Sequence, residues 1–253
     1  MSGDPAGERR ILILGVAGVG KSTLAVALAT RLGAPVYHLD NVADRHGMPD
    51  VTLPHAPPGE FPDHPFAPRA LAERRAIEAQ LAAAPCWVAE GTFLDWTTGL
   101  RARADTIVWL DHLGPIAAMR SVLGRARRSY ARGSDGEGTP AGHEAPGGLE
   151  PPAGQPSTAR RARFRAYLHH GIELLRELWD VAGYFWWRSS PGVERDIADG
   201  RWDRLCRAGI RRSLAPDEGR LIHVRHRGEL RGLEDRIVAG HPAADAVQPS
   251  ASR

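Results

Sequence analysis

Chemistry in this chain starts at one octapeptide, Gly15-Val16-Ala17-Gly18-Val19-Gly20-Lys21-Ser22. Glycine at its first and sixth positions, followed by Lys and Ser, is the spacing of a phosphate cradle. The glycines let the chain curl until successive N–H groups point inward at an anion, and a helix starting at Lys21 adds the positive end of its dipole. A lysine there reaches the outer phosphate oxygens of a nucleoside triphosphate, and a serine hydroxyl there ligates Mg²⁺. The spacing therefore predicts that ATP and Mg²⁺ are held by Gly15, Val16, Ala17, Gly18, Val19, Gly20, Lys21, Ser22 and Thr23, with Ser22 on the metal. Among the 33 Lys+Arg, Lys21 is the only lysine. A chain-wide preference for arginine reflects coding composition; its one exception falls where a compact ammonium, not a planar guanidinium, fits a ring of backbone N–H groups.

Three carboxylates, Asp40, Glu90 and Asp111, stand at or just beyond the ends of apolar runs that read as strands. A carboxylate in such a place can hold the water shell of a metal or accept a proton from an attacking hydroxyl; it can also cap the next element. We assign Asp40 to the acceptor hydroxyl, as base or orienting group, and Glu90 to Mg²⁺ through water, with Asp111 the weaker candidate. Arg125, Arg127 and Arg128 precede a stretch poor in apolar residues, Ala131 to Thr158, and Arg160, Arg161, Arg163 and Arg165 follow it. Basic helix ends around a flexible lid suit charge neutralisation during phosphoryl transfer, with Arg125 and Arg128 as the catalytic pair. His46, His55 and His64 match no metal-ligand spacing and read as surface residues. Cys86 and Cys206 read as buried thiols.

Strands must bring these residues together. The candidates are Arg10 to Leu14, Pro35 to Asp40, Cys86 to Ala89, Thr106 to Leu110 and Arg220 to Val224. Helical spacing of apolar residues predicts helices over Lys21 to Leu32, Arg69 to Ala84, Thr92 to Ala104, Pro115 to Tyr130, Ala159 to Val181, Trp202 to Ser213 and Gly228 to Val238. In the fifth of these, Phe164, Leu168, Ile172, Leu175 and Trp179 form the expected buried stripe, and the Tyr184 to Trp187 cluster beyond it reads as core or a docking surface. Alternating strands and helices predict an α/β fold with a parallel sheet covered on both faces and ligands beyond the strands' carboxyl ends. We expect one domain over 1–240, with an acceptor-side loop at 41–68, a lid-type insertion at 131–158 and a disordered tail at 241–253.

Several pieces in order resemble the adenylate-kinase-like P-loop proteins, within them the branch labelled DNA-topology-modulation protein or AAA-family ATPase. They are Gly15 to Thr23, Val36-Tyr37-His38-Leu39-Asp40, Trp87 to Phe93, Leu100 to Asp111, the arginine helix, and Arg220 to Arg225. The resemblance implies a five-stranded parallel sheet of the P-loop kinase type and transfer of the γ-phosphoryl of ATP to a small acceptor. Glu90-Gly91 stands where that branch has Asp-Gly, Thr92-Phe93 where adenylate kinases continue with Pro-Arg, and Leu113-Gly114 where the branch has Pro-Arg after its fourth strand.

Composition narrows the remaining choices. With 42% hydrophobic and 25% charged residues the chain can build a sizeable core. No apolar run reaches the roughly 18 residues of a membrane span, and the N-terminus lacks a signal-like layout, so the expected compartment is the cytoplasm. A net charge of +3 and a pI near 9.2 suit a nucleotide binder but also a nucleic-acid partner. Three functions follow: a kinase acting on a nucleotide or other small acceptor, an ATP-dependent regulatory or nucleic-acid-associated protein, and an enzyme phosphorylating a nucleic-acid hydroxyl end.

Overall fold

The computed structural model describes residues 9–45, 67–135, 171–172, 174–186 and 206–240. Five short runs form one sheet: β1 Arg10–Gly15, β2 Val36–His38, β3 Trp87–Gly91, β4 Thr106–Leu110 and β5 Leu221–Val224. Their order is β2-β3-β1-β4-β5 and every pairing is parallel. Parallel neighbours need crossovers, which contain α1 Lys21–Leu32, α2 Leu39–Ala43, α3 Leu71–Ala83, α4 Thr98–Arg103 and α5 Pro115–Asp135. Ile11, Leu12, Ile13 and Leu14 are all buried. Successive strand side chains point to opposite faces, so both faces of β1 are covered and the fold is the layered α/β arrangement the sequence predicts. Trp87, Trp96, Trp109 and Leu100 are completely buried around it, each such side chain contributing on the order of 1.5–3 kcal/mol.

Several elements differ from the sequence expectation. β2 stops at His38, and Asp40 is the second residue of α2 instead of ending a strand, because Leu39, Val42 and Ala43 turn one helical face into the core. Glu90 and Gly91 lie inside β3 rather than beyond it. The helix expected from Thr92 is confined to α4. Phe93, Leu94, Asp95, Trp96 and Thr97 are buried in succession, which a helix with one inward face cannot achieve. α5 runs past Tyr130 to Asp135, so the first residues of the expected lid are helical; 136–158 and the tail at 241–253 lie outside the described residues. The last expected helix is a 3₁₀ turn, Arg227–Leu230, and a helix, Leu233–Ala239, separated by Gly232 at φ 67°.

The stripe Ile172, Leu175 and Trp179 is exposed, contrary to expectation. The helix over 174–186 instead packs Leu174, Leu178, Val181, Tyr184 and Phe185 against the core. That face wins because it carries the Tyr184 hydroxyl to a buried acceptor, Asp111. Phe164 and Leu168 lie outside the described residues, as does most of the 41–68 excursion. Its two ends are pinned by an antiparallel bridge between Asp44 and Pro68.

Candidate functional site

The glycine loop joins the carboxyl end of β1 to α1 at the middle of the sheet. Gly15 is required by proximity: a Cβ there would stand 2.8 Å from the Leu110 carbonyl oxygen and 2.8 Å from Val19 Cγ1. Gly18 and Gly20 adopt φ of 79° and 96°, where L side chains are strained. Ser121 of α5 fixes the loop from above, its Oγ donating to the Gly18 carbonyl at 2.7 Å. No side chain caps α1, whose N-cap is Gly20. Its first-turn N–H groups thus keep the capacity to bind an anion. Lys21 is buried, its Nζ donating to the Val16 carbonyl oxygen at 3.3 Å.

β3 adjoins β1, and this places Glu90 beside the start of α1. Ser22 Oγ donates to Glu90 Oε1 at 3.0 Å, and His38 Nδ1 lies 2.7 Å from the same oxygen. His38 and Glu90 are register partners across β2 and β3. Burial would push the Glu90 carboxyl up, but His38, Lys21 and Ser22 together hold it below the usual range. The hydrogen bond to Glu90 raises the His38 imidazole against the opposing effect of burial. Both directions reflect one short contact between the imidazole and the carboxylate. Glu90 Oε2 is buried with no hydrogen bond. A hydroxyl and a carboxylate oxygen with spare lone pairs are hard donors, so Ser22 and Glu90 fit Mg²⁺. Among the described residues no cluster of three or more His, Cys, Asp or Glu forms a self-sufficient metal cage.

Asp40, the second residue of α2, is exposed, and its carboxyl feels the charges of Glu90 and Lys21. The surrounding protein, and next the Glu90 charge, push its carboxyl up to about 6. Lys21 and Arg125 oppose the shift and Glu177 adds to it. The structure therefore brings Lys21, Asp40, Glu90 and Arg125 into one electrostatic neighbourhood. Arg125 is ion-paired with Glu177, on the helix over 174–186. Arg128 is exposed one turn further along α5, its guanidinium beside Gly124.

Asp111 is held in a hydrogen-bonded clasp with Tyr184, Arg207 and His223. Its buried carboxylate accepts from Tyr184 Oη at 2.7 Å and from Arg207 Nε at 2.7 and 2.8 Å, and it pairs with His223 Nε2 at 3.1 Å. Tyr184 Oη in turn accepts from Trp109 Nε1, and the Trp109 and His223 rings stack at 3.9 Å. Burial pushes Asp111 up, but His223, Arg207 and Tyr184 outweigh it and depress the carboxyl. This clasp ties β4, β5, the helix over 174–186 and the helix Arg207–Leu214 together. Cys206, buried as expected, caps the last of these by accepting from Gly209 N–H, whereas Cys86 is half-buried.

Sequence reasoning missed His38 and Glu177. His38 carried a usable signal, a polar residue at the end of an apolar strand next to Asp40. Glu177 carried none, being 52 residues from the arginine it meets.

No family model matches the chain, and no curated protein matches it. Among solved structures it is similar to a gluconokinase from Sinorhizobium meliloti 1021, at 20% identity over 66% of this chain and 94% of that one, with a TM-score of 0.28. It is also similar to a shikimate kinase from Acinetobacter baumannii in complex with shikimate, at 15% identity over 81% of this chain and 93% of that one, again with a TM-score of 0.28. At these scores neither superposition bears on the site, whose reading rests on the geometry above.

Proposed function

We propose that this chain is an ATP-dependent phosphotransferase that moves the γ-phosphoryl of ATP to a hydroxyl of a small acceptor. The observation that carries the reading is the convergence of Lys21, the Ser22–Glu90 pair and Asp40 at the carboxyl ends of β1, β3 and β2. Three adjacent parallel strands thus deliver a phosphate cradle, a hard-cation site and a carboxylate open to the acceptor.

In this reading the loop Gly15 to Thr23 and the uncapped end of α1 bind the phosphates, and Lys21 balances their charge. Ser22 directly and Glu90 through water would hold Mg²⁺, which when bound offsets charge on the phosphate oxygens. Asp40 orients the acceptor hydroxyl and takes its proton as the acceptor oxygen bonds to the γ-phosphorus and the bond to the leaving ADP oxygen breaks. Arg125 and Arg128 are the candidates for stabilising charge that grows in this step. The nucleobase has a place as well. A cleft of about 500 Å³ is lined by Gly114, Pro115, Ile116, Ala117, Arg120 and Arg227, at the start of the helix whose Ser121 holds the Gly18 carbonyl. Its walls are apolar, and a guanidinium can stack on an aromatic base.

ATP with Mg²⁺ is expected to raise the thermal midpoint of the protein by mass action, and Lys21→Ala to abolish or greatly reduce that rise. An equal ligand-induced shift in the folded variant refutes the site. ATP binding without transfer to any nucleotide, nucleoside or small hydroxyl compound would favour the regulatory alternative.

A further inference from the structure

We propose that His38 is a positioning residue of the cation site: its Nδ1–H holds Glu90 in the orientation that presents the Ser22 hydroxyl to Mg²⁺. The proposal rests on the phosphotransferase reading and adds a residue one step behind the cation's own ligands.

The backbone that carries His38 is fixed on both sides. The residue closes β2 between Tyr37 and Leu39, both buried. β2 runs parallel to β3, and His38 is the register partner of Glu90. Side chains at paired positions share a face of the sheet. The two strand ends are also tightly packed, because a Cβ added to Gly91 would stand 2.8 Å from Leu39 Cβ. The sheet thereby delivers Nδ1 to within 2.7 Å of Glu90 Oε1, in a pair only 15% and 4% exposed. A carboxylate accepts hydrogen bonds and does not donate them, so the proton of this bond is carried by Nδ1.

One oxygen receives two donors. Ser22 Oγ gives its proton to the same Oε1 at 3.0 Å, while Oε2 is buried without a hydrogen bond among the described residues. The last torsion of a glutamate is soft, and a single donor leaves its two oxygens interchangeable. A second donor, mounted on a different strand, decides which oxygen meets Ser22. That decision reaches the hydroxyl. With its one proton given to Oε1, Ser22 Oγ meets any further partner through its lone pairs, which is what a hard cation requires. Loss of an outer partner that orients a ligand weakens metal binding by about 10- to 100-fold. His38 therefore acts on the cation through Glu90 and Ser22, and its effect belongs to the Mg²⁺ requirement and not to the binding of metal-free nucleotide.

The test uses the full chain and the β,γ-imido analogue of ATP, with calorimetry at rising Mg²⁺ and, separately, with EDTA in place of the metal. His38→Leu keeps bulk and removes the donor. It is expected to raise the Mg²⁺ concentration for half-maximal binding by about tenfold or more, with metal-free binding within about twofold of wild type. His38→Asn places an N–H directly after Cγ, as the imidazole does, and is expected to return the requirement to within about threefold of wild type. Adding His38→Leu to Glu90→Gln should change the requirement by less than about twofold, since the imidazole acts through the carboxylate. In the ligand-free wild type, nuclear magnetic resonance should show a proton bonded to His38 Nδ1, assigned by its loss in His38→Asn; this measurement stands even if His38→Leu does not fold. An unchanged Mg²⁺ requirement in folded His38→Leu, an equal loss with and without metal, no recovery in His38→Asn, additive losses in the double variant, or a bare Nδ1 in wild type each overturns the positioning role while the phosphotransferase reading stands. Failure of wild-type protein to bind the ATP analogue removes both.

Discussion

Replacing Asp111 with Asn tests whether that carboxylate is an anchor or a part of the nucleotide site. The side chain is 3% exposed and meets Tyr184, Arg207 and His223. Hydrogen bonds to a charged group are worth about 1.5–3 kcal/mol each. Arg207 is 41% exposed, so water replaces much of its share. The bonds from buried Tyr184 and largely buried His223 are not replaced in that way, and one amide oxygen can retain only part of what two carboxylate oxygens accept. The expected loss is therefore about 2–3 kcal/mol at neutral pH, read as a lower midpoint in urea with an unchanged slope. The pH dependence has a definite sign. The folded carboxyl is depressed, so its contribution is complete above the unfolded value near 4 and is lost as pH falls through the folded value. Wild type and variant should begin to converge in stability as pH falls below about 4, and meet below the folded value. Asp111→Asn should also keep the ATP-induced rise in thermal midpoint. A loss below about 1 kcal/mol would refute the clasp; disappearance of the ATP effect in the folded variant would return Asp111 to the nucleotide site.

Other substitutions separate the remaining roles. Asp40→Asn should lower turnover by about a hundredfold or more with ATP affinity nearly unchanged, and the loss of wild-type rate below about pH 6 should vanish in the variant's profile; wild-type turnover in the variant refutes the assignment. Glu90→Gln should raise the Mg²⁺ concentration needed for half-maximal ATP binding, measured by titration at fixed ATP, and an unchanged value would count against Glu90 on the metal. Gly91→Ala should cost about 1–3 kcal/mol through overpacking, because its new Cβ would lie 2.8 Å from Leu39 Cβ. Since Leu39 precedes Asp40 on α2, turnover should fall in the same variant; an unchanged thermal midpoint would show that α2 yields freely.

What could be read from the sequence depended on how locally each feature is determined. The phosphate loop is a continuous segment whose glycines answer to its own curvature and to a neighbouring strand end, so Gly15 to Ser22 announced themselves by type and spacing. The five strands were legible because buried parallel strands are short unbroken apolar runs. The end of β2 was not, since whether Leu39 extends a strand or opens a helix depends on where Val42 and Ala43 find their core. The helix over 174–186 shows the same limit more sharply. Its two apolar faces, Leu175-Trp179 and Leu174-Leu178-Val181, satisfy helical spacing equally well, and no count of apolar residues chooses between them. The choice is made elsewhere: Tyr184 shares the second face, and a buried Asp111 arriving from β4 needs its hydroxyl. Fixing Tyr184 also fixes Glu177, two turns away on the same helix, near Arg125. One long-range hydrogen bond thus sets the orientation of a helix, and that orientation brings Glu177 to Arg125.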